Sequence, residues 1–158
     1  MSDGVGVDTN IWEYAYVEPR VPDGYLLHRE ARAFLQQLLV EDGQPIVIGE
    51  FQICEVLEVL RKIGASLTVR DELEELLWSE RCHIARCSGP MIRDACRLSA
   101  AANIHVYDYL VALPLRGLVR VIYTADQHFR HPDFAAIARI ENPLSWTMRE
   151  GRLPERVT

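Results

Sequence analysis

Five short apolar runs alternate with longer stretches whose apolar residues recur at helical spacing. This switching of period constrains the fold more than any other feature of the chain. The runs are Val5–Val7, PIVIG over residues 45–49, CHIARC over 82–87, LVRVIYT over 118–124 and AAIARIE over 135–141. Between them the pattern predicts helices over residues 10–16, 25–40, 50–63, 68–80, 88–103 and 106–116. Leu27, Ala31, Phe34, Leu35, Leu38 and Leu39 stripe the second of these, and Ile53, Val56, Leu57 and Leu60 the third. PRVPDG at 19–24 reads as a turn, Gly64 as a helix C-cap, Thr68 as an N-cap, and Ser88 with Pro90 as a helix start. Pro114 should bend or shorten its helix. Strands and helices in this order predict an α/β fold with a largely parallel sheet covered on both faces. One domain over residues 1–158 is expected, since a chain of this length buries roughly 70% of its unfolded surface.

Parallel sheets collect ligands beyond the carboxyl ends of their strands. Asp8 stands at that end of the first run, and Asp126 just past that end of the fourth. If the two strands are neighbours, both carboxylates reach one rim. Glu55 in the helix after the second run, between Phe51 and Val59, and Asp108 at the start of VYDYLVAL are candidates to join them. Four carboxylates on one rim do not all stay ionised without a counter-charge. Hard oxygen ligands suit Mg²⁺ or Mn²⁺, which bind substrate phosphates and support in-line attack of water on a phosphodiester. Capping, turn formation and solvated surface are the competing explanation for each acid taken singly.

The net charge of −6 argues against broad, non-specific nucleic-acid binding, although carboxylates that hold cations add to that total while being neutralised in use. No apolar run approaches the ~18 residues of a membrane span, and MSDGVGVD carries no secretory leader pattern, so a cytoplasmic protein is expected. Cys54, Cys82, Cys87 and Cys96 suggest no disulfide framework, and Cys82-His83 with Cys87 lacks the spacing of a zinc pair. His128 and His131 read as surface histidines, because a loop H-x-x-H lacks the helical spacing of a zinc site. Trp12, Tyr14 and Tyr16 alternate near the first helix, where aromatics either fill a core or line a partner groove.

Taken in order, the motifs resemble the PIN-domain family, and within it the compact VapC-like toxin nucleases. VDTNIW is similar to the family's opening V-D-T-N, EVLEVLRK to the helix bearing its Glu, VYDYLVAL to its W/Y-D-A-L segment, IYTADQHF to its T-x-D-x-x-F, and IENP to its last strand and turn. The resemblance covers nearly the whole chain. It implies a three-layer fold with a central five-stranded parallel sheet. It implies an Mg²⁺- or Mn²⁺-dependent endoribonuclease in which Asp8, Glu55, Asp108 and Asp126 hold the metal and carry catalysis. Asn10 and Thr124 match positions that hydrogen-bond around the site; a helix N-cap is the other reading of Asn10. An RNA substrate, a cognate antitoxin and a homodimer are implied too. The chain departs from the pattern at Gly49, where Ser or Thr is usual, at Tyr109, where a small residue is usual, and at Pro114. Tyr109 either packs in the core or narrows the site and stacks on a base. Two other classes stay open: a PIN-like module that binds RNA or protein without cutting, and a phosphotransfer enzyme phosphorylated on Asp8. The second lacks support, because Asn10 replaces the acidic neighbour that chemistry wants and Lys62 is the only lysine.

Overall fold

A computed structural model describes residues 4–19 and 22–145, with the side chains of residues 22 and 23 left aside. Among the described residues, five strands form one all-parallel sheet: β1 (Gly4–Val7), β2 (Ile46–Gly49), β3 (Cys82–Ala85), β4 (Val119–Tyr123) and β5 (Arg139–Glu141). Their order across the sheet is β3-β2-β1-β4-β5. The helices are α1 (Thr9–Tyr16), α2 (Pro22–Gln36), α3 (Glu50–Lys62), α4 (Leu67–Leu77), α5 (Gly89–Ala102), α6 (Val106–Ala112) and the short α7 (Pro132–Ala135).

Alternation along the strands, interrupted in β4 where the register with β1 shifts between Val119 and Val121, divides the apolar residues between two cores. Val5 and Val7 of β1, Ile46 and Ile48 of β2 and Val121 of β4 pack with residues of α1–α4 on one face. Val47, Val119 and Ile122 pack with α5, α6, Phe129 and Phe134 on the other. The strands are apolar on both sides because both sides are covered. Gly4 lets neighbouring backbone close in: a Cβ there would sit 2.7 Å from the Leu118 carbonyl oxygen and 2.8 Å from Val47 Cγ2.

Several boundaries differ from those the sequence predicts. Residues 20 and 21 of the expected turn lie outside the described residues, and α2 already begins at Pro22, a favoured first helical position. The helix expected to reach residue 40 is α-helical only to Gln36 and then widens into a π-helical turn over Gln37–Glu41. Ser66, not Thr68, caps α4, its hydroxyl accepting from Val69 N. Gly64, at φ +73°, closes α3 as expected, with Gly64 N donating to Arg61 O and Ala65 N to Leu60 O. Pro114 ends α6 early and turns Leu113–Leu115 into a 3₁₀ turn. Of the run at 135–141, only Arg139–Glu141 is strand; Ala135 is the last residue of α7, a helix capped by His131 Nδ1 and anchored by buried Phe134.

Candidate metal centre

The chain runs β1 to β2 to β3 in one direction across the sheet, then returns to place β4 on the other side of β1. The strand order therefore reverses between β1 and β4, the position at which open α/β sheets form a crevice for ligands. Asp8 follows β1, and Thr124-Ala125-Asp126 follows β4. The two strand ends are tied together, with Asp8 N donating to Tyr123 O at 2.9 Å and Ala125 N to Asn10 Oδ1 at 3.4 Å.

Asp8 is the N-cap of α1. One carboxylate oxygen accepts from Thr9 N at 2.7 Å and the other from the Thr124 hydroxyl at 2.6 Å. Thr124 Oγ1 in turn accepts from Asp126 N at 3.0 Å, so one hydroxyl links both aspartates. Glu55 enters from α3, and Thr9 Oγ1 donates to its Oε2 at 2.6 Å. The buried Gln52 amide and the indole N–H of the buried Trp12 both donate to Val7 O, the carbonyl just before Asp8, and fix α3 and α1 to the end of β1. Asp108 lies in the first turn of α6, where the helix dipole favours a carboxylate. Its Oδ2 is buried and receives no hydrogen bond.

Burial governs the electrostatics. Desolvation, with Glu55 and Asp126 repelling a negative charge, pushes Asp8 up to about 7 against the Thr124 and Thr9 hydrogen bonds. Desolvation with Asp8, Asp126 and Glu55 pushes Asp108 up to about 8. Glu55 is raised by burial, opposed by the Thr9 hydroxyl and by His105. These repulsions put the four predicted acids in electrostatic reach of one another, and a cation among them would relieve the strain of charge.

The tightest group of ligand atoms among the described residues is Asp108, Asp126 and His128, all within 4.8 Å of one another. His128 belongs to this group while its side chain stays 32% exposed, at the surface as its H-x-x-H spacing suggested. Asp126 Oδ1 accepts from His128 N at 2.9 Å, and that local turn brings the half-buried imidazole back toward the acids. His131 points elsewhere, capping α7 with its Nδ1 3.3 Å from Asp133 Oδ2. A D-x-H spacing after a strand is the signal that sequence reading passed over. Thr9, half hidden in the D-T-N motif, was also passed over. Asn10 is not a cap, since Asp8 holds that position; its side chain reaches Ala125 instead.

The remaining candidates settle into structure. Tyr109 is fully buried, stacks on Phe134 and donates to Asp133 Oδ2 at 2.7 Å, so it packs rather than facing a base. Trp12 is core, with Tyr14 and Tyr16 partly buried against it. Gly49 and Pro114 meet, a Cβ at Gly49 falling 3.4 Å from Pro114 Cγ. Cys82 packs into the core on one face of the sheet and Cys87 into the core on the other, too divided for one zinc ion.

A carboxylate set with one bare, buried oxygen and raised proton affinities fits a small hard divalent cation such as Mg²⁺ or Mn²⁺.

The fold is PIN-like, an all-parallel five-stranded sheet with helices on both faces. Among solved structures, the chain is similar to one in VapBC2 from Rickettsia felis, bound to a DNA fragment from their promoter. The TM-score is 0.59 at 18% identity, over 88% of this chain and 98% of that one. No protein-family model matches the sequence, and no curated protein matches it. Among the described residues, no helix is long and apolar enough to cross a membrane.

Proposed function

We propose that this protein is a divalent-metal-dependent endoribonuclease and the toxin component of a toxin–antitoxin pair, acting in the cytoplasm. The observation that carries the reading is the gathering of Asp8, Glu55, Asp108 and Asp126 around the point where the strand order reverses, with Asp8 and Asp108 driven toward neutrality by burial and by neighbouring acids. The PIN-like fold supports it, and the likeness to a VapBC2 chain supports an antitoxin partner. A homodimer belongs to the same proposal.

Asp8, Glu55, Asp108 and Asp126 hold one or two Mg²⁺ or Mn²⁺ ions. Such an ion supplies activation of the attacking water and neutralises charge on the leaving oxygen. The chain's own groups do the positioning. Thr124 fixes the Asp8 and Asp126 ends of the site through one hydroxyl, and Thr9 orients Glu55 toward Asp8. Water adds to phosphorus in line, the bond to the 3′-oxygen breaks, and the products carry a 5′-phosphate and a 3′-hydroxyl. Single strands and loops, whose phosphates can be drawn into a crevice, are the expected substrates.

The test is cleavage of end-labelled single-stranded RNAs with Mn²⁺ or Mg²⁺, with the product termini identified. Products bearing 5′-phosphate, lost in Asp8→Asn, are expected. Cleavage that persists in Asp8→Asn or in excess chelator contradicts the reading.

A further inference from the structure

We propose that His128 is a nitrogen ligand of this centre, which makes it a mixed oxygen–nitrogen site that favours Mn²⁺ over Mg²⁺. The inference rests on the metal-dependent reading of the site and specifies its chemistry.

His128 Nδ1 lies 3.4 Å from Asp108 Oδ2 and 3.6 Å from Asp126 Oδ1. Both separations exceed the roughly 2.7–3.2 Å of a good N–H···O hydrogen bond. Asp108 Oδ2 receives no hydrogen bond, although it is buried. Three electron-pair donors therefore face one small space, with no hydrogen bond between the ring and either carboxylate. The spacing suits an ion. With bonds of about 2.1 Å, octahedral ligands stand about 3 Å apart when adjacent and about 4.2 Å apart when opposite. The two distances from His128 fall between those limits, and all three ligand atoms lie within 4.8 Å of one another.

The local chain explains the aim of the ring. Asp126 caps the 3₁₀ turn over Gln127–Arg130 by accepting from His128 N at 2.9 Å. One carboxylate thus fixes the backbone of the residue whose imidazole stands beside it. Phe129, the next residue, is 1% exposed and stacked on Phe134, which anchors the turn in the second core. His128 is held from both sides while its ring stays half-buried at the rim.

The chemical consequence follows from ligand type. Mn²⁺ shares the preference of Mg²⁺ for oxygen ligands but, as a first-row transition ion, gains more from one added nitrogen donor than Mg²⁺, which keeps its waters. A nitrogen donor tilts a carboxylate site toward the former while leaving Mg²⁺ binding to the acids.

The experiment compares wild type, His128→Ala and His128→Gln by calorimetric titration with Mn²⁺ and with Mg²⁺, and records pulsed electron paramagnetic resonance on the Mn²⁺-loaded proteins. Circular dichroism confirms that the variants fold. His128→Ala should weaken Mn²⁺ binding at least about 10-fold and Mg²⁺ no more than about 3-fold. Nitrogen hyperfine coupling should be present in wild type and absent from both variants. Unchanged Mn²⁺ affinity, or retained nitrogen coupling, overturns the proposal. So does tighter binding in His128→Ala, which would make the ring a competing cation. If wild type binds Mn²⁺ and cleaves RNA while His128→Ala does the same, only this inference fails. If wild type binds neither ion, the metal-dependent reading fails with it.

Discussion

The Thr124 hydroxyl donates to Asp8 Oδ2 and accepts from Asp126 N, so a single oxygen joins the ends of β1 and β4. Thr124→Val keeps the shape and removes both bonds. A buried carboxylate oxygen and a buried amide are then left without partners, and urea denaturation should show a loss of about 1–3 kcal/mol. Asp8→Asn should behave oppositely. It removes a charge that burial and neighbouring acids disfavour, so the metal-free variant should melt above wild type at pH 8. Its cleavage rate should nonetheless fall more than about 100-fold, beyond the usual cost of losing an outer-shell partner. At this scale the sequence was legible where position alone carries meaning. The approach of Asp8 to Asp126 was legible because strand ends meet a rim, and the place of Asp108 because a helix start sits in an apolar segment. The approach of His128 to Asp108 and Asp126 was not legible, because it comes from the local turn at Asp126 rather than from the spacing to His131. Asn10 was open between cap and site because the competing cap, Asp8, is two residues earlier.

Elements were read well where many residues share one signal. The stripe of α3 and its Gly64 ending came out as predicted, whereas α7 did not, because four residues carry no periodicity. That turn is held by the His131 cap and by Phe134 stacking on Phe129 and Tyr109, contacts from distant parts of the chain. The two departures from the family pattern at 49 and 114 are one feature in space. Gly49 is the N-cap of α3 with no side chain to cap it, and the Pro114 ring covers it at ordinary contact distance. Gly49→Ser should therefore fit, supply the missing cap and raise stability by a few tenths of a kcal/mol in urea denaturation. A loss instead would mean that Pro114 cannot yield and that the glycine is required for packing.

The whole molecule concentrates like charge where its strand order reverses. That order, β3-β2-β1-β4-β5, cannot be read from strand patterns alone, since each run is compatible with several neighbours. It is what brings Asp8 and Asp126, far apart in the chain, to neighbouring strand ends. Asp8 and Asp108 have ordinary values near 3.8 and are raised to about 7 and about 8 in the folded chain. Between pH 4 and 8 the folded state thus binds more protons at these groups than the unfolded state, and stability falls as pH rises. Metal-free protein should lose several degrees of Tm across that range. Mn²⁺ at saturation should recover most of the loss at pH 8, because it binds the ionised folded form. A Tm that rises steadily with pH in chelator would contradict the charge balance described here.

The most direct measurement is calorimetric titration of purified, partner-free protein with Mn²⁺ and Mg²⁺ at pH 7.5, beside Asp8→Asn. Saturable binding in wild type, accompanied by proton release as the raised carboxyls ionise and abolished in the variant, is the predicted result. A folded wild-type protein that takes up neither ion, or an Asp8→Asn variant that binds as well as wild type, would contradict the account.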